Sequence, residues 1–129
     1  LSGVPQALPA LIKAHRIQDK ARSVGFDWEE HTQVWDKVQE EIDELRTEIE
    51  QMKKDEMEAE FGDLLFSIIN AGRLYGIDPE NALERTNRKF IRRFNHLESK
   101  TISQGKDLKK MSLAEMDKIW DEAKKMEKK

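Results

Sequence analysis

The chain has 129 residues, 37% of them hydrophobic and 38% charged, with a formal net charge of −3. That length suits one domain, residues 1–129 read as a single unit, with a modest core under a heavily charged helical surface. The lack of any cysteine excludes disulfides and thiolate metal sites and fits a reducing compartment.

No apolar run approaches the roughly 18 residues of a membrane span, and the start lacks a basic segment followed by an apolar one. The expected setting is therefore cytoplasmic, with no membrane partner. The chain begins at Leu1 rather than Met, in keeping with a piece of a longer protein.

Pro9 opens a first helix that runs to about Ser23 and stops at Gly25. After the Phe26-Asp27-Trp28 corner a second helix covers roughly 30–53, with an apolar seam at Trp35, Val38, Ile42, Leu45, Ile49 and Met52. Asp55 with Glu58 forms a D-x-x-E cap for a third helix, ending near Tyr75 before Gly76. Asp78-Pro79 caps a fourth, which continues to about Ser103 and Gly105 with a seam at Leu83, Phe90, Phe94 and Leu97. Ser112 with Glu115 makes a further capping box that starts a last helix. No segment alternates as a strand would. The short connections predict an all-α antiparallel bundle, a four-helix core plus a C-terminal helix.

The third helix departs from this pattern. Its run Leu64-Leu65-Phe66-Ser67-Ile68-Ile69 is apolar on most of its circumference, more than one bundle face can bury. Either a second copy of the chain covers part of it or a four-helix core within one chain does.

Charge is unevenly distributed. Residues 40–63 hold eleven acids against Arg46, Lys53 and Lys54, and residues 84–110 hold nine bases against Glu84, Glu98 and Asp107. Two mutually attracting solvated faces would explain this. So would a site that needs both a metal, held by acids, and a phosphate, held by bases.

Helix phase narrows the choice. At about 100° per residue, Glu41 and Glu44 share a flank of the second helix with Lys37 and Glu48, beside the apolar seam, whereas Glu40 and Asp43 point outward. On the third helix Glu60 and Asp63 repeat the i,i+3 spacing beside Met57, Phe61, Leu64 and Ile68. Antiparallel packing would gather Glu41, Glu44, Glu60 and Asp63, and four converging carboxylates require a cation. All-oxygen ligands select hard ions, Mg²⁺ first, with Mn²⁺ as a substitute. A di-iron site would need Glu-x-x-His on two helices. Ile12, Trp28 and Arg93 precede the three histidines at that spacing, so iron is rejected.

On the fourth helix Lys89 and Arg93 flank the seam while Arg92 points outward. Bases near a metal suit a polyphosphate, Arg as a fork and Lys as a point charge. The net acidity argues against nucleic acid. Ser67 and Asn70 continue the Glu60/Asp63 edge, which makes Asn70 a candidate substrate contact.

Taken together, LPALIKAHRIQDKARSVGFDW, KVQEEIDEL, EFGDLLFSIIN, NRKFIRRF and MDKIWDEAK resemble the MazG family of nucleoside triphosphate pyrophosphohydrolases, in the form of the C-terminal domain of the two-domain bacterial enzymes. The resemblance covers essentially the whole chain. EExxE alone is weak; joined to ExxD, KFxRRF and a late Trp it is specific. It implies an all-α homodimer that converts a nucleoside triphosphate and water into the monophosphate and pyrophosphate, in nucleotide-pool housekeeping. It implies that Glu41, Glu44, Glu60 and Asp63 are the catalytic Mg²⁺ ligands. Lys37 through Glu41, Glu40 included, and Lys89, Arg92 and Arg93 match nucleotide-contacting segments, as does Trp120.

Two other readings stand beside this one. Lys89 and Arg93 could pair with the acids in a salt-bridged, non-catalytic helical module, and the activity could be a narrower dUTP or dCTP pyrophosphatase. Trp120 also lies on the stripe Leu113, Met116, Trp120 and Ala123, so core packing competes with base stacking. Glu40 and Glu41 are alternative proton acceptors.

Overall fold

A computed structural model describes residues 1–27, 31–51 and 53–127, and among them the chain is all-α with no strand. Five α-helices, α1 (Ala10–Ser23), α2 (His31–Gln51), α3 (Lys54–Arg73), α4 (Pro79–Ser103) and α5 (Leu113–Glu127), are joined by short connections, the last containing one 3₁₀ turn at Leu108–Lys110. Glu30, Trp28 of the expected corner and Met52 of the expected seam lie outside the described residues. No helix is long and apolar enough to cross a membrane among the described residues. The chain forms two compact units, Leu1–Ala82 and Leu83–Lys129.

The helix ends follow local chemistry. Pro9 is the N-cap of α1 rather than its first residue, its carbonyl accepting from Lys13 N at 2.9 Å. The helix closes when Gly25 takes φ 88°, a left-handed value that costs glycine nothing; Phe26 N then reaches the Ala21 carbonyl at 3.1 Å. Asp78 Oδ1 accepts from Glu80 N at 3.0 Å and Asn81 N at 3.2 Å, capping α4 as expected. Ser112 Oγ accepts from Glu115 N at 3.2 Å at the start of α5.

One expected cap is corrected. The third helix begins at Lys54, with Lys53 as an N-cap that makes no side-chain hydrogen bond. Asp55 therefore lies inside the first turn, where with Glu56 it offsets the positive end of the helix dipole.

In the first unit α2 and α3 form an antiparallel hairpin. Val34, Val38 and Ala71 are the buried centre of its core, with Ile42, Leu64 and Leu74 packed around them. The expected α2 seam holds at Val38 and Ile42 but changes at its start. Val34 is the buried member, while Trp35 and Ile49 stay about half exposed. Trp35 turns outward to donate from Nε1 to the Tyr75 hydroxyl at 2.8 Å, a partner that the indole N–H would lack in the core. On α3 the apolar excess is confirmed as excess: Phe61, Leu65, Phe66 and Ile68 remain 44–53% exposed on the single chain.

The second unit buries Leu97 and Thr101 of α4 and Ile119 and Ala123 of α5. Of the expected α4 seam, Leu83, Phe90 and Phe94 are 38–56% exposed. Phe90 stacks on Phe94 with centroids 6.1 Å apart and meets Trp120 at a tilt with centroids 5.0 Å apart, forming an aromatic cluster rather than a sealed core.

Candidate active site

The α2–α3 hairpin determines which acids meet. On α2 Lys37, Glu41, Glu44 and Glu48 recur one turn apart; on α3 Glu60, Asp63, Ser67 and Asn70 do the same. Single carboxylate oxygens of Glu41, Glu60 and Asp63 lie within 4.8 Å of one another. Glu44 stands beside Glu60 and contributes to its titration. Two helices thus deliver the predicted acids to one place.

Glu41 is the most enclosed of the group, 4% exposed. Its Oε1 accepts from Lys37 Nζ at 2.8 Å, and this hydrogen bond with the ammonium holds its pKa below the usual carboxylate range. Lys37 also lies 3.6 Å from Glu40 Oε2, and Glu40 is exposed, as helix phase predicts. Glu60 behaves oppositely: loss of hydration first, then the neighbouring Glu44 and Glu41 carboxylates, push its pKa up to about 7. Among the described residues, Oε2 of Glu41 and Oε2 of Glu60 are both buried without a hydrogen-bond partner. Buried charged oxygens left unpaired are costly. Two of them, beside a third carboxylate within 4.8 Å, fit the coordination of a hard divalent cation.

Beyond the acids, a cavity of about 800 Å³ opens between α1, α2 and α3, a size suited to a small ligand. Its apolar wall includes Ile17, Ala21, Val34 and Phe66, and Lys37, Ser67 and Asn70 line it as well. Asn70, singled out as a substrate contact, uses Oδ1 to accept from Arg73 Nε at 3.1 Å and Nη2 at 2.8 Å. Arg73 Nη2 also donates to Asp27 Oδ1 at 2.7 Å, tying the end of the α1 loop to α3.

Gln18 and Arg73 are buried in this unit and were not anticipated. The signal for Gln18 is legible afterwards: it interrupts the stripe Leu11, Ala14, Gln18 and Ala21, where an apolar residue would be expected. Arg73 is one turn beyond Ile69 on the buried side of α3.

Lys89, Arg92, Arg93 and Trp120 belong to the second unit. There Arg93 donates from Nε at 3.1 Å and Nη2 at 2.8 Å to Glu127 Oε2, and Arg92 Nε lies 3.8 Å from Glu127 Oε1. The Arg93 guanidinium holds the Glu127 carboxyl below its usual range. Lys89 is exposed, and Trp120 packs on Phe90.

The fold and the acid cluster define a class: an all-α protein whose helical hairpin presents a carboxylate cluster fit for a divalent cation beside a ligand-sized cavity. The model of the MazG nucleotide pyrophosphohydrolase domain matches residues 29–98, more than half of the chain, and the chain belongs to that family. It is 43% identical over 117 residues to the nucleoside triphosphate pyrophosphohydrolase/pyrophosphatase MazG of Thermotoga maritima, covering 91% of this chain and 45% of that protein. It is 40% identical over 129 residues to a nucleoside triphosphate pyrophosphohydrolase of Escherichia coli, covering 98% of this chain and 49% of that one. An uncharacterized protein of Bacillus subtilis, YabN, is 51% identical over 71 residues. The chain therefore spans about half the length of the first two relatives.

Proposed function

We propose that the chain hydrolyses nucleoside triphosphates to the monophosphate and pyrophosphate, with Mg²⁺ held by Glu41, Glu60 and Asp63 and with Glu44 completing the acid set. The observation that carries this reading is the approach of three carboxylate oxygens from two helices to within 4.8 Å in a chain of the MazG family. Bound there, Mg²⁺ would supply Lewis-acid neutralisation of the triphosphate charge.

The chain's own residues supply the rest. Water adds to phosphorus, the P–O bond between the α and β phosphates breaks, and one proton must leave the water. Glu40 is exposed and takes no part in holding the cation, so of Glu40 and Glu41 it is the one with an oxygen open to accept that proton; Glu41 gives its unpartnered Oε2 to the cation while Lys37 fixes its Oε1. Lys37 orients that carboxylate and keeps it ionised. Lys89, Arg92 and Arg93 would take phosphate oxygens, Arg93 by exchanging the Glu127 carboxylate for them. Trp120 would pack against the nucleotide from its place beside Phe90.

We place the chain in the cytoplasm as a homodimer. Phe61, Leu65 and Ile68 recur at i, i+4 and i+7 on α3 and are 45–53% exposed, a stripe of the kind that helices bury against another copy.

The deciding assay supplies Mg²⁺ and each of the eight common ribo- and deoxyribonucleoside triphosphates in turn. Pyrophosphate should be released. Orthophosphate as the primary product would exclude this reaction class, and activity confined to dUTP or dCTP would identify the narrower enzyme.

A further inference from the structure

In the second unit one acid of α5 faces a group of bases on α4. Glu127 Oε2 accepts from Arg93 Nε at 3.1 Å and from Nη2 at 2.8 Å, and Glu127 Oε1 lies 3.8 Å from Arg92 Nε. The hydrogen bonds from Arg93 hold the Glu127 carboxyl below its usual range, and the charges of Arg93, Arg92 and Lys89 act in the same direction. The Arg93 side chain is 16% exposed and that of Glu127 27%, so water screens this pair less than it screens an ordinary surface ion pair.

The balance of charge is uneven. One carboxylate stands among three cationic side chains, and both Arg93 nitrogens converge on a single oxygen of it, as a guanidinium edge does on an oxygen of phosphate. Further along the same two helices Glu122 Oε2 meets Lys100 Nζ at 3.1 Å and His96 Nε2 at 3.9 Å, with no arginine beside it. The Glu127 group is also set on the face assigned to substrate. Trp120 and Glu127 are about two turns apart on α5, and Trp120 packs on Phe90, which is next to Lys89 and one turn from Arg93. The place expected for phosphate oxygens is thus held by an acid of the chain itself.

Resting on the enzyme reading above, we propose that Glu127 is a built-in competitor for the polyphosphate. Its carboxylate occupies the Nε–Nη2 edge of Arg93 in the absence of substrate, yields that edge to the triphosphate, and reclaims it as pyrophosphate leaves. The exchange runs forward because a triphosphate brings several negative charges to the three bases where Glu127 brings one. It reverses because pyrophosphate, a smaller anion of the same oxygen chemistry, would otherwise be slow to leave the arginines. Glu127 touches no reacting atom; it acts through Arg93, as a positioning residue that trades tightness of binding for release.

The experiment uses the whole chain as wild type, Glu127→Gln and Glu122→Gln. Both variants remove one negative charge from α5, but only the first removes it from the arginines. Inorganic tripolyphosphate is titrated calorimetrically without added metal, and formation of nucleoside monophosphate is followed with Mg²⁺, with and without added pyrophosphate. Glu127→Gln should bind tripolyphosphate roughly three- to ten-fold more tightly, with KM for nucleotide and the inhibition constant of pyrophosphate lowered by a similar factor and no rise in kcat. Glu122→Gln should keep the wild-type tripolyphosphate affinity. If Glu127→Gln loses its helical circular dichroism, Glu127→Asp decides in its place: it keeps the charge but is one methylene shorter, and it should still tighten tripolyphosphate. Affinity equal to or weaker than wild type in a folded Glu127 variant overturns the assignment while leaving the reaction intact, and so does an equal gain in Glu122→Gln, which would trace the effect to net charge alone. No monophosphate and pyrophosphate from any nucleotide with the wild type overturns the enzyme reading, and displacement of Glu127 by substrate falls with it.

Discussion

Lys37 Nζ lies 2.8 Å from Glu41 Oε1, one turn apart on α2, and the same carboxylate approaches Glu60 and Asp63 of α3. One ammonium thus stabilises the most enclosed acid of a cluster that otherwise consists of like charges. The Glu41 side chain is 5% exposed while that of Lys37 is 39% exposed, so the pair is lopsided: the acid depends on the base more than the reverse.

Lys37→Met should therefore destabilise the metal-free protein by about 1–3 kcal/mol, the usual cost of leaving a buried polar group unpaired. The difference should shrink when Mg²⁺ is added, since a cation would take over the neutralisation. Thermal unfolding with chelator and with excess Mg²⁺ checks this; a deficit equally large in both conditions would mean that Lys37 acts only through packing.

Glu41→Gln and Asp63→Asn should each reduce pyrophosphate release by at least about 100-fold, more than the loss typical of an outer partner of a metal ligand, while the helical circular dichroism is kept. Wild-type turnover in either variant would remove the cluster from the reaction.

Glu60 makes the metal-free protein sensitive to pH. Its pKa is raised from an ordinary 4.5 to about 7, so between those values the folded chain holds more protons than the unfolded chain. Stability therefore falls as pH rises through that window. The contribution is complete below about 4.5 and gone above about 7. Unfolding in chelator at a series of pH values should show this decline, and Glu60→Gln should flatten it. An unchanged slope in that variant would assign the decline to other groups.

Asp27→Ala should cost about 3 kcal/mol. The Arg73 side chain is only 4% exposed and that of Asp27 18%, so removing the acid leaves a buried guanidinium with the neutral Asn70 Oδ1 and without its counter-charge. Asp27→Asn, which keeps an acceptor oxygen, should cost less. Urea midpoints of the three proteins give the order.

Much of the fold is written in short-range chemistry. The stops at Gly25, Gly76 and Gly105, the Asp78 cap and the Ser112/Glu115 box depend on residues within a few positions of one another, so the helix boundaries follow from composition to within a residue or two. The pairing of acids was legible for a related reason: i,i+3 spacing on each of two helices with a short connection leaves little freedom in where the carboxylates can go.

What the sequence by itself determined, then, is the all-α class, the order and extent of the helices and the flank on which each acid sits, because those depend on local backbone geometry. Only the tertiary structure decided the rest. It chose Val34 over Trp35 for the core, enclosed Glu41 most fully among the acids, committed Arg93 to Glu127, and turned Gln18 and Arg73 into cavity walls. Burial and unpaired hydrogen-bonding capacity arise only when distant segments meet, here α1 against the α2–α3 hairpin, and no spacing within a single helix encodes them.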